Sequence, residues 1–325
     1  MTRFRPPGGL GCGGAPLGNL FERVPEPAAA ESLQAAWDSG IRYFDTAPFY
    51  GFGLSERRMG DALRGRPVGS FTLSTKVGRL LKPAAGVAET RNAFVGGLPF
   101  EVVFDYSAAA TWRSLEDSLQ RLGLPRIDIA FIHDCAEDTH GQAWTEMFDA
   151  AMAGAAKALT EAREQGLIRA WGLGVNRIEP CLMALERADP DVFLVAGRYT
   201  LLVHTALAAL FPACAARGVS VVVGGPYNSG LLAGGTTFDY EAAPAEMAAR
   251  VLRIGAVCAR HGVQMKAVAL QFCAAHPVVA SVIAGARRAA EVRENVAMMG
   301  VAIPGDLWAD LRREGLIPEQ APVPG

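Results

Sequence analysis

Two rhythms of apolar and polar positions alternate along this chain. Short apolar or every-other-residue runs end abruptly on a polar residue or a glycine. Examples are Ile41-Arg42-Tyr43-Phe44 before Asp45, Phe71-Thr72-Leu73-Ser74-Thr75 before Lys76, and Val219-Ser220-Val221-Val222-Val223 before Gly224. Such runs predict strands, here near 9–14, 41–45, 71–76, 127–133, 169–174, 192–196, 219–223 and 277–283. Between them, apolar residues recur at helical spacing over 27–39, 55–64, 112–122, 145–165, 179–187, 205–217, 244–261, 264–275 and 287–299, with a short tail helix near 305–313. Pro27 stands at the start of the first helix and Gly40 closes it, as helix ends favour. Eight strand–helix units in strict alternation are the number that closes a parallel barrel through right-handed crossovers. The fold class is α/β, a (β/α)8 TIM barrel, and with no internal repeat or linker the chain reads as one domain over 1–325.

Two stretches depart from the rhythm. Gly9-Leu10-Gly11-Cys12-Gly13-Gly14 satisfies G-x-G-x-x-G, but a Pro-rich start precedes it and Ala15-Pro16 follows. A dinucleotide-binding turn needs a hydrophobic strand before it and a helix directly after, so these glycines are read as a small-residue first strand. After Lys76, about thirty residues lack a helical pattern, far more than a usual βα loop. Carrying Arg79, Arg91, Asn92, Phe94, Phe100 and Tyr106, this loop is expected to wall a substrate site.

Composition narrows the function classes. The 325 residues carry a formal net charge of −2 and are 50% hydrophobic, without basic runs, which argues against a nucleic-acid partner. No apolar run approaches the ~20 residues needed to span a bilayer, so no membrane partner is expected. The six cysteines show no C-x-x-C pairing and the five histidines are dispersed, so neither a disulfide framework nor a metal site is expected. The expectation is a soluble, cytoplasmic protein.

The candidate chemistry lies at strand ends. Asp45 ends the second strand, Tyr50 sits in the turn after it, Lys76 ends the third and His133 the fourth. Adjacent barrel strands bring their C-terminal ends side by side, where barrel chemistry sits. A cation there would lower the pKa of the tyrosine phenol while a carboxylate fixes the cation.

Gly40 through Glu56, Ser74-Thr75-Lys76-Val77-Gly78 and Ile132-His133-Asp134 resemble the aldo-keto reductase superfamily, and 283–295 resembles its nucleotide-binding stretch. The resemblance implies a nicotinamide cofactor bound without a Rossmann motif. It implies Tyr50 as acid/base, Lys76 as the residue depressing its pKa, Asp45 as the partner of Lys76, and His133 as the group orienting the substrate oxygen. Asn176 takes the place of the residue holding the nicotinamide carboxamide. The family glutamine on strand six is replaced by Ala196, and the aromatic stacking under the nicotinamide by Gly224, with Tyr227 as an alternative.

The run from Gly224 through Gly225, Pro226, Tyr227, Asn228, Ser229, Gly230, Leu231 and Leu232, with the long loop, resembles the aldose 1-dehydrogenase branch. That branch includes enzymes of L-fucose, D-arabinose and L-galactose and the related pyridoxal 4-dehydrogenase. The implied partner is a small-molecule sugar or pyridoxal-like hemiacetal, and the implied cofactor-binding residues are Asn176, Gly225, Pro226, Asn228, Ser229, Gly230, Leu231, Gly285, Arg287, Glu291 and Asn295. Where NADP-using relatives place lysine, serine and arginine, this chain has Gly285, Ala286 and Glu291. A carboxylate repels a 2′-phosphate and accepts a hydrogen bond from a free 2′-hydroxyl, so NAD is expected to be preferred, with NADP possible.

Overall fold

The computed structural model describes residues 3–325. Eight parallel strands close a barrel: β1 (Leu10–Gly13), β2 (Tyr43–Asp45), β3 (Thr72–Val77), β4 (Ile129–His133), β5 (Ala170–Val175), β6 (Val192–Ala196), β7 (Ser220–Gly224) and β8 (Val279–Gly285). Each strand pairs with its neighbour in sequence, and β1 closes the circle on β8, with Leu10 opposite Val282. Strands buried on both faces read as apolar runs rather than amphipathic ones, which is why β7 carries three consecutive valines.

The alternation along each strand sorts side chains between two cores. Tyr43, Ile129, Phe131, Ala170, Val192, Leu194, Val222 and Ile283 fill the barrel interior. Their immediate neighbours, among them Phe44, Ala130, Ile132, Trp171, Phe193, Val195, Val221 and Val223, face the helices. Residues two positions beyond the interior layer therefore also point inward, at the C-terminal rim. Asp45 stands there on β2, His133 on β4, Ala196 on β6 and Gly224 on β7.

The glycines of the first strand serve packing. A Cβ on Gly13 would come within 2.7 Å of an Ile283 methyl, and one on Gly14 within 2.5 Å of Ser55 Oγ and 2.8 Å of the Asp45 carbonyl. They let β1 press against β8 and the turn after β2, consistent with rejecting a dinucleotide-binding turn.

Three expectations need correction. The stretch after β3 is an ordered β excursion: Arg79–Pro83 pairs antiparallel with Phe100–Phe104, and Thr90–Arg91 pairs with Phe94–Val95. Backbone bonds tie it to the neighbouring loops, from Phe21 to Ala93 (2.7 Å) and from Leu98 to Gly51 (3.0 Å). Its polar–apolar alternation was too short per arm to stand out. The helix expected over 145–165 is two, Trp144–Ala153 and Ala155–Glu164, because Gly154 abuts the Tyr106 carbonyl. The helix expected over 205–217 breaks likewise at Ala209 into Thr205–Ala208 and Leu210–Arg217. Among the described residues, no helix is long and apolar enough to cross a membrane.

Candidate active site

A cavity of about 1050 Å³ opens at the C-terminal rim of the barrel. Tyr50, Lys76, His133 and Asn176 line it, and Asp45 sits directly behind Lys76. The buried Lys76 ammonium donates to Asp45 Oδ2 at 2.8 Å and to the Thr46 carbonyl at 2.9 Å. Asp45 is held in turn: its Oδ1 accepts from Ser74 Oγ at 2.7 Å, and Ser74 is 3.1 Å from the Tyr43 hydroxyl. Asp45 lies opposite Ser74 across the β2–β3 ladder, and Lys76 points inward two residues further along. Its methylene stem fits because Gly174 on β5 has no side chain; a Cβ there would lie 3.3 Å from Lys76 Cε.

Tyr50 lies above this pair. The Lys76 ammonium is 4.6 Å from its ring centroid, and the His133 ring stands nearly perpendicular to it at 6.0 Å. Phe49, Phe52 and Phe94 pack edge to face on one another at 5.3–6.2 Å centroid separations, and the Phe94 ring lies tilted against Tyr50 at 6.2 Å. His133 Nε2 is 3.3 Å from Asp134 Oδ2, and its buried Nδ1 has no partner among the described residues. Burial, with Arg79 and Lys76 nearby, pushes the His133 pKa well below the ordinary imidazole value, so the ring is neutral.

The electrostatics correct one expectation. Burial, then Asp45 and Asp134, push the Tyr50 phenol well above its ordinary value, and the cation opposing them is Arg79. The Lys76 ammonium is spent on Asp45 and Thr46. In this state Tyr50 is a protonated phenol rather than a phenolate held by Lys76.

Two residues expected to face substrate do not line the cavity. Tyr106 is buried behind β4, where its hydroxyl donates to the His133 carbonyl at 2.8 Å and contacts His140 Nε2 at 3.0 Å. Phe100 faces away along the hairpin and accepts from Arg91 through its carbonyl. Arg79, Arg91, Asn92 and Phe94 do line the cavity.

Ala196 lines the rim, paired with Gly224 on the neighbouring strand, so both departures from the family pattern put little or no side chain there. Asn176 contacts Asp138 across the mouth at 3.3 Å. Tyr227 does not stand in for the missing aromatic, because its hydroxyl donates to Asn295 Oδ1 at 2.8 Å. Tyr240 lines the cavity instead, at the tip of a hairpin joining Thr237–Phe238 to Glu241–Ala242. The tip is held by Arg198, whose guanidinium meets Asp239 at 2.6 Å. Sequence reasoning missed Tyr240 and Asp239, whose left-handed turn carries no glycine signal.

The remaining predicted cofactor residues lie outside the cavity lining. Asn228 accepts from Thr200 Oγ1 at 2.6 Å, and Ser229 Oγ accepts from the Tyr240 amide at 3.0 Å. Pro226 and Leu231 are buried, while Gly225 and Gly230 adopt left-handed turns. Gly285 ends β8 against Pro16. Glu291 accepts from the Arg287 amide at 2.8 Å, and the Arg287 guanidinium lies 3.2 Å from both Glu22 Oε1 and the Leu20 carbonyl. Small rim residues, a carboxamide at the mouth and glycine turns after β7 fit a nicotinamide nucleotide.

Comparison with known proteins agrees with this geometry. A family model, the aldo/keto reductase family, matches residues 9–313. The pyridoxal 4-dehydrogenase of Microbacterium luteolum is 42% identical over 321 residues, covering 95% of this chain and 94% of that protein. A D-threo-aldose 1-dehydrogenase of a Pseudomonas species is 39% identical over 319 residues, covering 95% and 94%. An aldo-keto reductase of Bacillus halodurans in its holo form superposes with a TM-score of 0.72 at 26% identity, covering 96% of this chain and 94% of that one. A closed barrel with Asp45, Tyr50, Lys76 and His133 gathered at one rim, matched over nearly its whole length, places this chain in the aldo/keto reductase family of nicotinamide-dependent oxidoreductases.

Proposed function

We propose that the protein is a dehydrogenase that oxidises an aldose of the L-fucose, D-arabinose or L-galactose type at its anomeric carbon, giving the lactone. The observation carrying this reading is the cavity wall beside His133, where Arg79, Asp134, Asp138, Asn176 and Arg177 offer donors and acceptors in alternation, as a polyhydroxylated substrate requires. When bound, the oxidised nicotinamide supplies the acceptor for the hydride leaving C1. Tyr50 exchanges the proton of the anomeric hydroxyl, and neutral His133 hydrogen-bonds the same oxygen and aligns it. Lys76 holds a positive charge under the Tyr50 ring, and Asp45, fixed by Ser74, keeps that charge in place. Asn176 would hold the carboxamide, with the residues of 225–231 and Gly285, Arg287, Glu291 and Asn295 along the rest of the nucleotide.

A second reading, oxidation of pyridoxal, is favoured by the aromatic wall of Phe49, Phe52 and Phe94 and by the pyridoxal-acting relative. A screen of nucleotide reduction against L-fucose, D-arabinose, L-galactose and pyridoxal separates the two. Turnover of aldoses is expected, and turnover of pyridoxal alone would overturn the first reading in favour of the second.

NAD is proposed as the preferred cofactor. Glu22 and Glu291 surround Arg287 and Arg288, so both arginines near the nucleotide stretch already face carboxylates. A 2′-phosphate there would meet like charge. Glu291→Arg should shift the ratio of kcat/KM towards NADP; wild-type enzyme working better with NADP would refute the preference. The six buried, unpaired cysteines support a reducing compartment, the cytoplasm, and a core cluster running from Cys12 to Ala321 supports reading 1–325 as one barrel unit.

A further inference from the structure

Arg79 and Asp134 form an ion pair that neither the barrel nor the Asp45–Tyr50–Lys76–His133 group requires. Arg79 opens the hairpin after β3, opposite Phe104, and its guanidinium lies 4.0 Å from the Phe49 ring centroid and 4.9 Å from that of Phe104. Asp134 follows His133 in a left-handed conformation (φ 49°) and donates its amide to the Gly174 carbonyl at 3.0 Å. The two residues are only 6% and 9% exposed, yet both line the cavity. The desolvation cost of burying such a pair is little more than returned by its own attraction, so it is weak as a stabilising device.

Among the described residues Arg58 and Arg79 are the two buried arginines, and they are used differently. Arg58, equally buried, spends every guanidinium nitrogen on the fold: Nε on Glu26, Nη1 on the Leu17 carbonyl and Asn19, and Nη2 on the Val24 carbonyl and Glu26. Arg79 is covered by aromatic rings instead, and its buried Nε has no acceptor among the described residues. Asp134 Oδ2 lies 3.3 Å from His133 Nε2, the group beside the reacting oxygen. Oxygens on adjacent carbons are separated by about 3 Å, a hydrogen-bond length, so a neighbouring oxygen of a substrate held by His133 comes within reach of this pair.

We infer that Arg79 and Asp134 are a specificity-determining pair that holds a hydroxyl on the carbon next to the reacting carbon, Asp134 accepting its proton and Arg79 donating to its oxygen. A hydroxyl is both donor and acceptor, which a guanidinium–carboxylate pair matches. A carboxylate or phosphate in the same place would be repelled by Asp134, and an alkyl group would leave the cavity-facing polar atoms of the pair, Arg79 Nε among them, without a partner. The enzyme therefore selects 2-hydroxy aldehydes and aldoses over their 2-deoxy counterparts. This deepens the proposed function and rests on its placing of the reacting oxygen at Tyr50 and His133.

The test measures kcat/KM with the full chain and its nucleotide for two pairs: reduction of lactaldehyde against propanal, and oxidation of an aldose against its 2-deoxy analogue. Sites built around a substrate hydroxyl reject analogues lacking it strongly, so a wild-type ratio of about 100 or more is expected for each pair. Arg79→Gln with Asp134→Asn removes both charges together, and the ratio should fall to within about tenfold of one, whatever the absolute rates. If that variant does not fold, Arg79→Lys keeps the charge but withdraws the forked donors, and should still lower the ratio by about tenfold or more. A wild-type ratio near one, or a ratio unchanged in the folded variant, overturns the inference. Lactaldehyde preferred over propanal with no aldose oxidised would sink the aldose reading and leave the role of the pair standing.

Discussion

At the scale of single residues, the site rests on a contest of charges around one phenol. Desolvation and the carboxylates of Asp45 and Asp134 raise the Tyr50 pKa above its ordinary value of 10.0, against Arg79. The protonated form is therefore the resting one, suited to giving a proton to a carbonyl. Oxidation needs the opposite form, so its rate should rise with pH without a plateau below about pH 10, while reduction should be independent of this group below about pH 10. A bell-shaped oxidation profile centred near neutrality would show that another group takes the proton. Tyr50→Phe should lower turnover by about 10²–10⁴-fold while nucleotide binding, followed by fluorescence titration, stays intact. Lys76→Met carries a second penalty, because it leaves the buried Asp45 carboxylate unpaired, at a cost of about 3–5 kcal/mol. Adding Asp45→Asn should restore the denaturation midpoint but not the activity. If the double variant regains turnover, Lys76 serves the fold alone.

At the scale of elements, the barrel supplies fixed groups and its excursions supply choice. Arg79–Pro83 and Phe100–Phe104 carry one wall, with Phe94 between them, and the hairpin from Thr237 to Ala242 carries Tyr240 to the other side. Neither excursion contributes to the closed barrel. Replacing residues 84–99 with a short turn should therefore reorder aldoses and pyridoxal in kcat/KM while changing nucleotide affinity little. An unchanged ranking across such variants would argue that the barrel rim alone sets specificity. Tyr106 belongs to this scale as well: it braces the His133 carbonyl from behind, so the hairpin and β4 are coupled through one hydroxyl.

At the scale of the whole molecule, the residues proposed to hold the nucleotide are spread over the ends of β5, β7 and β8 and the segments after them, and the folded barrel alone brings those ends to one rim. Binding should therefore stabilise the folded state by mass action, by about 2.7 kcal/mol at a nucleotide concentration 100 times Kd. Thermal unfolding with NAD and NADP at equal concentrations tests both the linkage and the proposed preference. A larger shift with NADP would contradict the assignment of Glu291.

Much of this was legible in the sequence because it depends on local periodicity. The eight strand ends, the order of helices and the convergence of Asp45, Tyr50, Lys76 and His133 follow from two-residue and helical spacing combined with the closure rule for parallel strands. What tertiary structure alone decided depends on distances between residues far apart in the chain. Asp45 and Gly174 bracket Lys76, Tyr106 turns inward as a brace, and the Arg287 guanidinium reaches the Leu20 carbonyl. The direction of the Tyr50 pKa belongs with these, since it depends on burial and on Asp134 and Arg79, which stand 55 positions apart and meet only once the barrel closes. Residue order fixes which face a side chain takes, whereas the field it experiences is a sum over neighbours supplied by the fold.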